Sequence, residues 1–328
     1  MNNIIKWGVM GCGNIAQKFV SDLQYVENST LYAVASKNNE RAKSFAKKHN
    51  AKKSYNNYDQ LINDKKVDIV YIATTHNFHY KNALLCLNSI KPVLCEKPLC
   101  VNAKEAKHLI SVSKEKKVFL MEAMWTRFLP AIKHLINNIN NDVIGKPKLI
   151  QADFGIKKPP VKNSRFYENK LAAGSLLDLG VYTINFCNFI FDLKPNESSG
   201  FAKITNQKTD EYAIYNLKYD KGRLAQLSAS VSFATPHEAR IYGEKGKVIV
   251  PDFYHPQKYT IYLSTGEEIK INKPFQGFGY QFEALEAQNC LLNNKIESPT
   301  FPLENSLSVL RTMDDLRKEW GVQYENDI

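Results

Sequence analysis

Gly11-Cys12-Gly13-Asn14-Ile15-Ala16 follows an apolar run at residues 4–10 and opens a helical pattern at residues 14–25. This order of strand, glycine turn and helix limits the fold more than any other feature of the chain. Glycines let the backbone turn tightly and approach a pyrophosphate, whose charge rests on the free N–H groups of the helix start. A lone Gly-x-Gly-x-x-Ala would be weak, and its strength comes from what surrounds it. Further runs of strand length occur at 31–35, 67–73, 93–95 and 118–121, with helical patterns at 40–49, 78–88 and 103–114 between several of them. That alternation predicts a doubly wound parallel sheet of Rossmann type binding a dinucleotide through Gly11, Cys12, Gly13, Asn14 and Ile15.

Beyond about residue 145 the pattern changes to strands joined by short turns, as at 211–219, 222–233 and 258–263, with Asp220-Lys221-Gly222 reading as a hairpin turn. A large, mostly antiparallel sheet in an α+β domain is expected there. Pro302 opens a final helix in which Leu303, Leu307, Leu310, Met313, Leu316 and Trp320 recur at helical spacing. With 328 residues two domains are expected, residues 1–122 for the nucleotide and 123–328 for substrate and dimerisation.

Composition excludes several classes. At 44% hydrophobic and 23% charged the chain is globular, and 15 Gly with 13 Pro are too few for a long disordered linker. No uninterrupted apolar stretch reaches the roughly 18 residues of a membrane helix, and Lys6 interrupts the first segment before a secretory signal forms. A cytoplasmic location is expected. The six cysteines form no Cys-x-x-Cys pair and read as free, packed thiols. The formal charge of +11 is spread over pairs such as Lys47-Lys48, Lys52-Lys53 and Lys65-Lys66 rather than along one stripe, and no base-reading motif accompanies it. The lysines therefore read as solvated surface, and neither nucleic acid nor membrane is an expected partner.

The strand at 31–35 ends near Ser36, where an acidic residue would bind the ribose hydroxyls of NAD. The chain reads Ser36-Lys37-Asn38-Asn39-Glu40-Arg41 instead. Ser36, Lys37 and Arg41 set a hydroxyl and two cations where a 2′-phosphate would lie, so NADP is favoured over NAD. The competing reading keeps Lys37 and Arg41 as surface cations and lets Glu40 or the loop backbone serve NAD. The next sheet exits are Ala73-Thr74-Thr75-His76-Asn77-Phe78-His79 and Cys95-Glu96-Lys97-Pro98. Both belong at the carboxyl edge of the sheet, where open α/β sheets bind ligands. Pro98 biases Lys97 away from helical geometry, so its amine is aimed from a fixed turn beside the expected nicotinamide.

Residues 176–191 are apolar nearly all round and predict a buried helix. Asp178 is conspicuous in such surroundings because a buried carboxylate needs partners or a proton. Tyr182, four residues on, shares its helix face. The bland alternatives are a helix-capping Asp and a core-filling Tyr.

Gly11–Ala16, Glu96-Lys97-Pro98 and the segment from Ala173-Gly174-Ser175 through Asp178 to Tyr182 together resemble the Gfo/Idh/MocA oxidoreductase family. Met121-Glu122-Ala123-Met124-Trp125-Thr126-Arg127-Phe128, and the ending from Gly277-Phe278-Gly279-Tyr280 to Arg311-Thr312-Met313-Asp314, are similar to its dihydrodiol and NADP-dependent xylose dehydrogenase branch. The resemblance spans nearly the whole chain in order. It implies a Rossmann domain, a second domain with an open sheet, and a homodimer through that sheet. The wider family commonly has a histidine where Tyr182 stands; the branch has tyrosine there, which turns the expectation away from inositol dehydrogenase-like chemistry.

The resemblance implies Tyr182 as acid/base and Lys97 as its support. A phenol titrating near 10 is a poor base at neutral pH, and a nearby ammonium favours the phenolate. Asp178 would orient the substrate hydroxyl or the lysine, and Lys97 or His79 is the fallback base. In the resemblance His76 and His79 border the nicotinamide. Trp125, Phe154 and Tyr280 are candidates for an apolar wall under a sugar or diol ring, or for core. Arg127 and Arg165 are candidates for a phosphate or the nicotinamide amide, or for surface salt bridges. No grouping has metal-ligand spacing, and hydride transfer needs no metal. The expected activity is an NADP-dependent dehydrogenase of a cyclic polyol, an aldopyranose or a trans-dihydrodiol. A keto-sugar reductase and a non-catalytic NADP-binding sensor are the alternatives.

Overall fold

The computed structural model of the chain describes residues 4–161 and 164–328. Strands β1 (Ile5–Met10), β2 (Ser29–Ala35), β3 (Lys53–Tyr55), β4 (Ile69–Ile72), β5 (Val93–Glu96) and β6 (Leu120–Ala123) form one sheet in the order β3-β2-β1-β4-β5-β6. Every pair in it is parallel. Helices α1 (Asn14–Asp22), α2 (Asn39–Lys48), α3 (Tyr58–Asn63), α4 (His79–Asn88) and α5 (Ala103–Lys116) lie between the strands in sequence. The central strands β1 and β4 are buried except at Lys6, as Trp7, Val9, Met10, Val70 and Ile72 show, which is why they read as apolar runs. The expected parallel sheet is present. Its edge strand β3 escapes an apolar-run criterion because Lys53 and Ser54 are exposed, and only backbone pairing to β2 defines it.

The second sheet holds β7 (Pro147–Gly155), β8 (Glu197–Ile204), β9 (Asp210–Lys218), β10 (Leu224–Ser230), β11 (Ala239–Gly243), β12 (Gly246–Val250), β13 (Lys258–Leu263) and β14 (Glu268–Asn272). Their order is β14-β13-β12-β11-β7-β10-β9-β8, and every neighbouring pair is antiparallel except β7 with β10. Asp220-Lys221-Gly222 joins β9 to β10 with positive φ at Lys221 (61°) and Gly222 (70°), the backbone a tight hairpin needs. Along β9 the side chains of Ala213, Tyr215 and Leu217 are buried, while those between them are not. Helices α6 (Pro130–Asn140) and α7 (Val181–Phe191) follow β6 and precede β8, and α7 packs on β7 and β10. No helix among the described residues is long and apolar enough to cross a membrane.

The chain divides into two compact units that are not contiguous in sequence. One comprises residues through Cys100, Lys104–Trp125 and Gln276–Ser306; the other comprises Val101–Ala103, Thr126–Phe275 and Leu307–Ile328. By contact the segment that contains α8 (Gln281–Leu292) groups with the first of these, whereas the expected cut between residues 122 and 123 places it with the second stretch of sequence, and α9 (Leu303–Trp320) has residues in both. The reason is hydrogen bonding that no local pattern reveals. Asp22, at the end of α1 and 1% exposed, accepts from the N–H groups of Phe278 and Tyr280, each at 2.9 Å. Gln288 donates to Glu27 O (2.8 Å), and Leu120 N donates to Ile296 O (3.0 Å). Replacing Asp22 with Ala leaves the buried donor of Tyr280 and the part-buried donor of Phe278 without their acceptor, and a loss of about 2–3 kcal/mol is expected. Urea unfolding of Asp22→Ala measures it; a change below about 0.5 kcal/mol would show that the carboxylate does not hold this segment.

Candidate functional site

In the nucleotide-binding unit, β1 ends at Met10 and the chain turns at Gly11 with φ +99°. A Cβ there would stand 2.6 Å from Ala73 O and 3.2 Å from Thr74 Cγ2, so backbone of the β4 exit closes against it. Gly13 precedes α1 without any side-chain cap, and nothing lies within 4 Å of the place its Cβ would occupy. The first turn of α1, with Asn14 and Ile15, thus starts without a side-chain cap and behind an open approach at Gly13, at the point where the strand order reverses between β1 and β4. An uncapped helix start behind a side-chain-free approach fits a dinucleotide's diphosphate. Cys12 is packed against Ala35 O, and burial pushes its thiol up to about 11, so it is not a nucleophile.

Past β2, Ser36 Oγ accepts from Asn38 N (3.2 Å), and Asn38 caps α2 by accepting from Arg41 N (2.9 Å). Lys37 Nζ lies 4.9 Å from the centre of the Phe78 ring, which draws it toward the β4 exit. Glu40 pairs with Lys43 at 3.4 Å on the exposed side of the helix. The cations at 37 and 41 and the hydroxyl at 36 all belong to this one turn into α2.

The loops after β4 and β5 are tied together by His79. Its ring has no exposure, with Nδ1 2.7 Å from Pro98 O and Nε2 3.0 Å from Thr74 O. Burial is the larger influence and lowers its pKa, against the two carbonyls that favour the charged ring. A neutral ring donates to one of them at a time. His76 stands edge-on to it (5.7 Å, 69°), Thr75 Oγ1 donates to Asn77 Oδ1 (2.8 Å), and Asn82 donates to Thr74 Oγ1 (3.1 Å).

The Lys97–Pro98 peptide is cis. Glu96 accepts from Tyr71 OH and, at 3.2 Å, from Lys97 N; Glu122 Oε1 accepts from Leu99 N at 3.0 Å. Backbone on both sides of the turn is held, and from Val93 to Cys100 only Lys97 is less than fully buried. Glu122 and Glu283 escaped the sequence reading because nothing in a strand or helix pattern marks an acid as buried. Burial pushes Glu122 up to about 7 and Glu283 well above the carboxylate range, with Glu96 nearby adding to both. Trp125 and Tyr280 stack on each other at 4.5 Å and 16°.

In the other unit the segment expected as one helix begins with a π-helical turn, Leu176–Gly180, before α7. Such turns recur at functional sites. Asp178 in that turn is 3% exposed and lies 3.3 Å from Arg165, whose guanidinium also covers the Phe166 ring at 4.1 Å. Tyr182 is edge-on to Phe154 (5.4 Å, 61°) and to Tyr254 (6.0 Å, 69°), and Phe154 stacks on Tyr254 (4.3 Å, 21°). The structure thus groups Tyr182 with Phe154 and Asp178 with Arg165. Arg127 lies 5.5 Å from the Phe189 ring. Tyr254 was missed because it sits in a turn between β12 and β13 without periodicity; its only signal is the aromatic run Phe253-Tyr254-His255. Among the described residues no group of three His, Cys, Asp or Glu could hold a metal ion.

Residues 5–124 match the family profile described as oxidoreductase family, NAD-binding Rossmann fold, and residues 132–249 match the corresponding GFO/IDH/MocA C-terminal domain. The chain is 35% identical to a trans-1,2-dihydrobenzene-1,2-diol dehydrogenase of Xenopus tropicalis, covering 97% of this chain and 99% of that one. It is 31% identical to the protein of that name from Homo sapiens, covering 98% and 99%. Among solved structures, an aldose-aldose oxidoreductase from Caulobacter crescentus complexed with glycerol superposes with a TM-score of 0.88 at 20% identity, covering 96% of this chain and 97% of that one. A 3-ketoreductase from Actinomadura kijaniata in complex with NADP and TDP-benzene gives 0.86 at 24%, covering 97% and 98%. At these identities the two structures speak for the fold alone.

The Glu122 carboxyl makes a prediction about pH. Its pKa is raised on folding, from 4.5 to about 7, so between those values the folded chain holds a proton that the unfolded chain gives up. Stability from this group is full below about pH 4.5 and falls as pH rises to 7, by up to about 3 kcal/mol. Glu122→Gln keeps an acceptor for Leu99 N and cannot titrate. Its unfolding free energy should decline less than that of the parent between pH 5 and 8, as urea titrations at each pH would read; equal slopes would remove Glu122 as the source.

Proposed function

Because the chain belongs to the Gfo/Idh/MocA oxidoreductase family, it is an NAD(P)-binding oxidoreductase, and we propose that it is an NADP-dependent dehydrogenase of a cyclic polyol. The substrate is an aldose oxidised to its lactone or a trans-dihydrodiol. Relatives named as dehydrogenases of trans-1,2-dihydrobenzene-1,2-diol support the second, and an aldose-aldose oxidoreductase of the same fold is compatible with the first. The observation that carries the reading is the pairing of a buried phenol and a buried carboxylate on one segment, Tyr182 and Asp178, with the phenol against the aromatic surface of Phe154 and Tyr254. Such a surface suits the apolar face of a ring.

A nicotinamide dinucleotide held at the Gly11–Ile15 turn and by Lys37 and Arg41 would supply hydride-transfer chemistry at the carbinol carbon. Tyr182 takes the hydroxyl proton as the C–H bond breaks, leaving the carbonyl, and returns it in the reverse direction. Lys97 is its cationic partner, favouring phenolate and stabilising alkoxide character. Asp178, held by Arg165, orients the hydroxyl. Ser36, Lys37 and Arg41 favour NADP, and the pairing of Glu40 with Lys43 engages the acid that would serve NAD.

A second copy of the chain covers the open face of the larger sheet. Phe201 is 80% and Ile214 60% exposed there, directly opposite each other on β8 and β9, with Tyr212 on β9 and Leu224 on the neighbouring β10 also exposed. The six buried, unpaired thiols suit a reducing cytoplasm.

Turnover followed by NADPH absorbance over a panel of aldoses, polyols and trans-diols, with NADP and NAD compared, tests substrate class and cofactor. Loss of turnover by about 100-fold or more is expected for Tyr182→Phe and for Lys97→Ala, with a double variant far less than additive. Normal turnover in Tyr182→Phe would transfer the proton to another group. Tight NADPH binding with no turnover on any substrate would make the protein a sensor. Ile214→Lys should convert a dimer into a monomer on size-exclusion with light scattering; a wild-type monomer would remove the dimer.

A further inference from the structure

The segment bearing Asp178 and Tyr182 is entered through Ala173-Gly174-Ser175, and its first turn has no side-chain cap from Ser175. The acceptor comes from elsewhere in the unit. Asp210, the first residue of β9, has no exposure, and its Oδ2 accepts from Ser175 Oγ at 2.7 Å and from Leu176 N at 2.6 Å. Its Oδ1 has no hydrogen bond and faces Gly174, where a Cβ would stand 2.2 Å away. Gly174 has φ +135°, so both backbone and space require glycine there. Tyr324 OH donates to Ala173 O, and its own N–H is held by Asp327 at 2.9 Å. Asp327 is paired with Arg317, which also binds Asp314, each at 2.7 Å.

A carboxylate with one oxygen unbonded in the core is costly, and an apolar residue would avoid that cost. Burial raises Asp210 to about 6, opposed by Ser175, Leu176 and Arg317, while Tyr324 and Tyr215 are the titratable groups that also face it. At neutral pH it is therefore the carboxylate that accepts both bonds, and charge-assisted bonds are the stronger kind. What these bonds secure is the direction in which the π-helical turn leaves, and so the place of Asp178 two residues on and of Tyr182 one turn later.

We infer that Asp210 is a positioning residue for the reaction, acting through Ser175 and Leu176 on Asp178 and Tyr182 and touching neither substrate nor cofactor. This rests on the reading that Tyr182 and Asp178 perform the chemistry. The test measures kcat and KM, with D-xylose or trans-1,2-dihydrobenzene-1,2-diol according to which is turned over, and the dissociation constant of NADPH by fluorescence. Asp210→Ala should lower kcat about 10- to 100-fold, the effect of a small misplacement of reacting groups, with NADPH affinity within about twofold. Asp210→Asn, whose amide oxygen can accept the same two bonds, should restore kcat to within about threefold of the parent. Ser175→Ala, which removes one donor, should fall between and serves if Asp210→Ala does not fold. Unchanged kcat in Asp210→Ala or Ser175→Ala, or Asp210→Asn impaired as deeply as Asp210→Ala, would overturn the inference. Tyr182→Phe in the same assay separates the two ideas: its inactivity beside a fully active Asp210→Ala ends the inference alone, and its full activity ends the reading beneath it.

Discussion

Main-chain N–H groups that leave a helix or strand must find an acceptor, and in this protein buried carboxylates supply it at the turns that matter. Asp22 takes the N–H groups of Phe278 and Tyr280, Glu122 that of Leu99, and Asp210 that of Leu176. Asp314, only partly buried, takes that of Ala103 at 2.8 Å. Each acceptor is far from its donor in sequence, so each bond orders a loop that local structure would leave free. The cost is a set of acids titrating high, Glu122 near 7 and Asp210 near 6, because burial opposes their charge more than the bonds favour it.

The same economy of backbone shapes the nucleotide-binding unit. Gly11 is glycine because the β4 exit closes on it, and Gly13 because the helix start must stay open. His79 serves the frame: its two ring nitrogens meet Thr74 O and Pro98 O, carbonyls of the loop after β4 and of the loop that holds Lys97. With those loops tied, Lys97 is the one residue of the segment from Val93 to Cys100 that is not buried. In the other unit the aromatic surface of Phe154 and Tyr254 does for Tyr182 what the tied backbone does for Lys97, limiting its rotamers by packing.

The fold was legible where side-chain pattern and backbone geometry agree. Buried parallel strands must be apolar on both faces, so β1, β2, β4 and β5 declare themselves, and the helix at Leu303–Trp320 shows its stripe. The edge strand β3, rich in polar residues, does not. In the site, Asp178 stood out because a lone carboxylate in an apolar segment is anomalous in composition alone, and the structure buries it, leaving 3% exposed. Tyr254, Asp210 and Glu283 carried no such mark, since Tyr, Asp and Glu are ordinary in turns, strand starts and helices.

The order of residues by itself determined the parallel sheet, the glycine turn before α1, the positive-φ hairpin at Lys221-Gly222 and the buried segment with Asp178 and Tyr182, because each is a property of near neighbours in the chain. Tertiary structure alone decided that residues 276–306 belong with α1, that His79 joins two loops, and that Asp210 holds the turn at Ser175. Those depend on hydrogen bonds between groups up to 261 positions apart, whose partners are chosen by burial and direction once the sheets have formed.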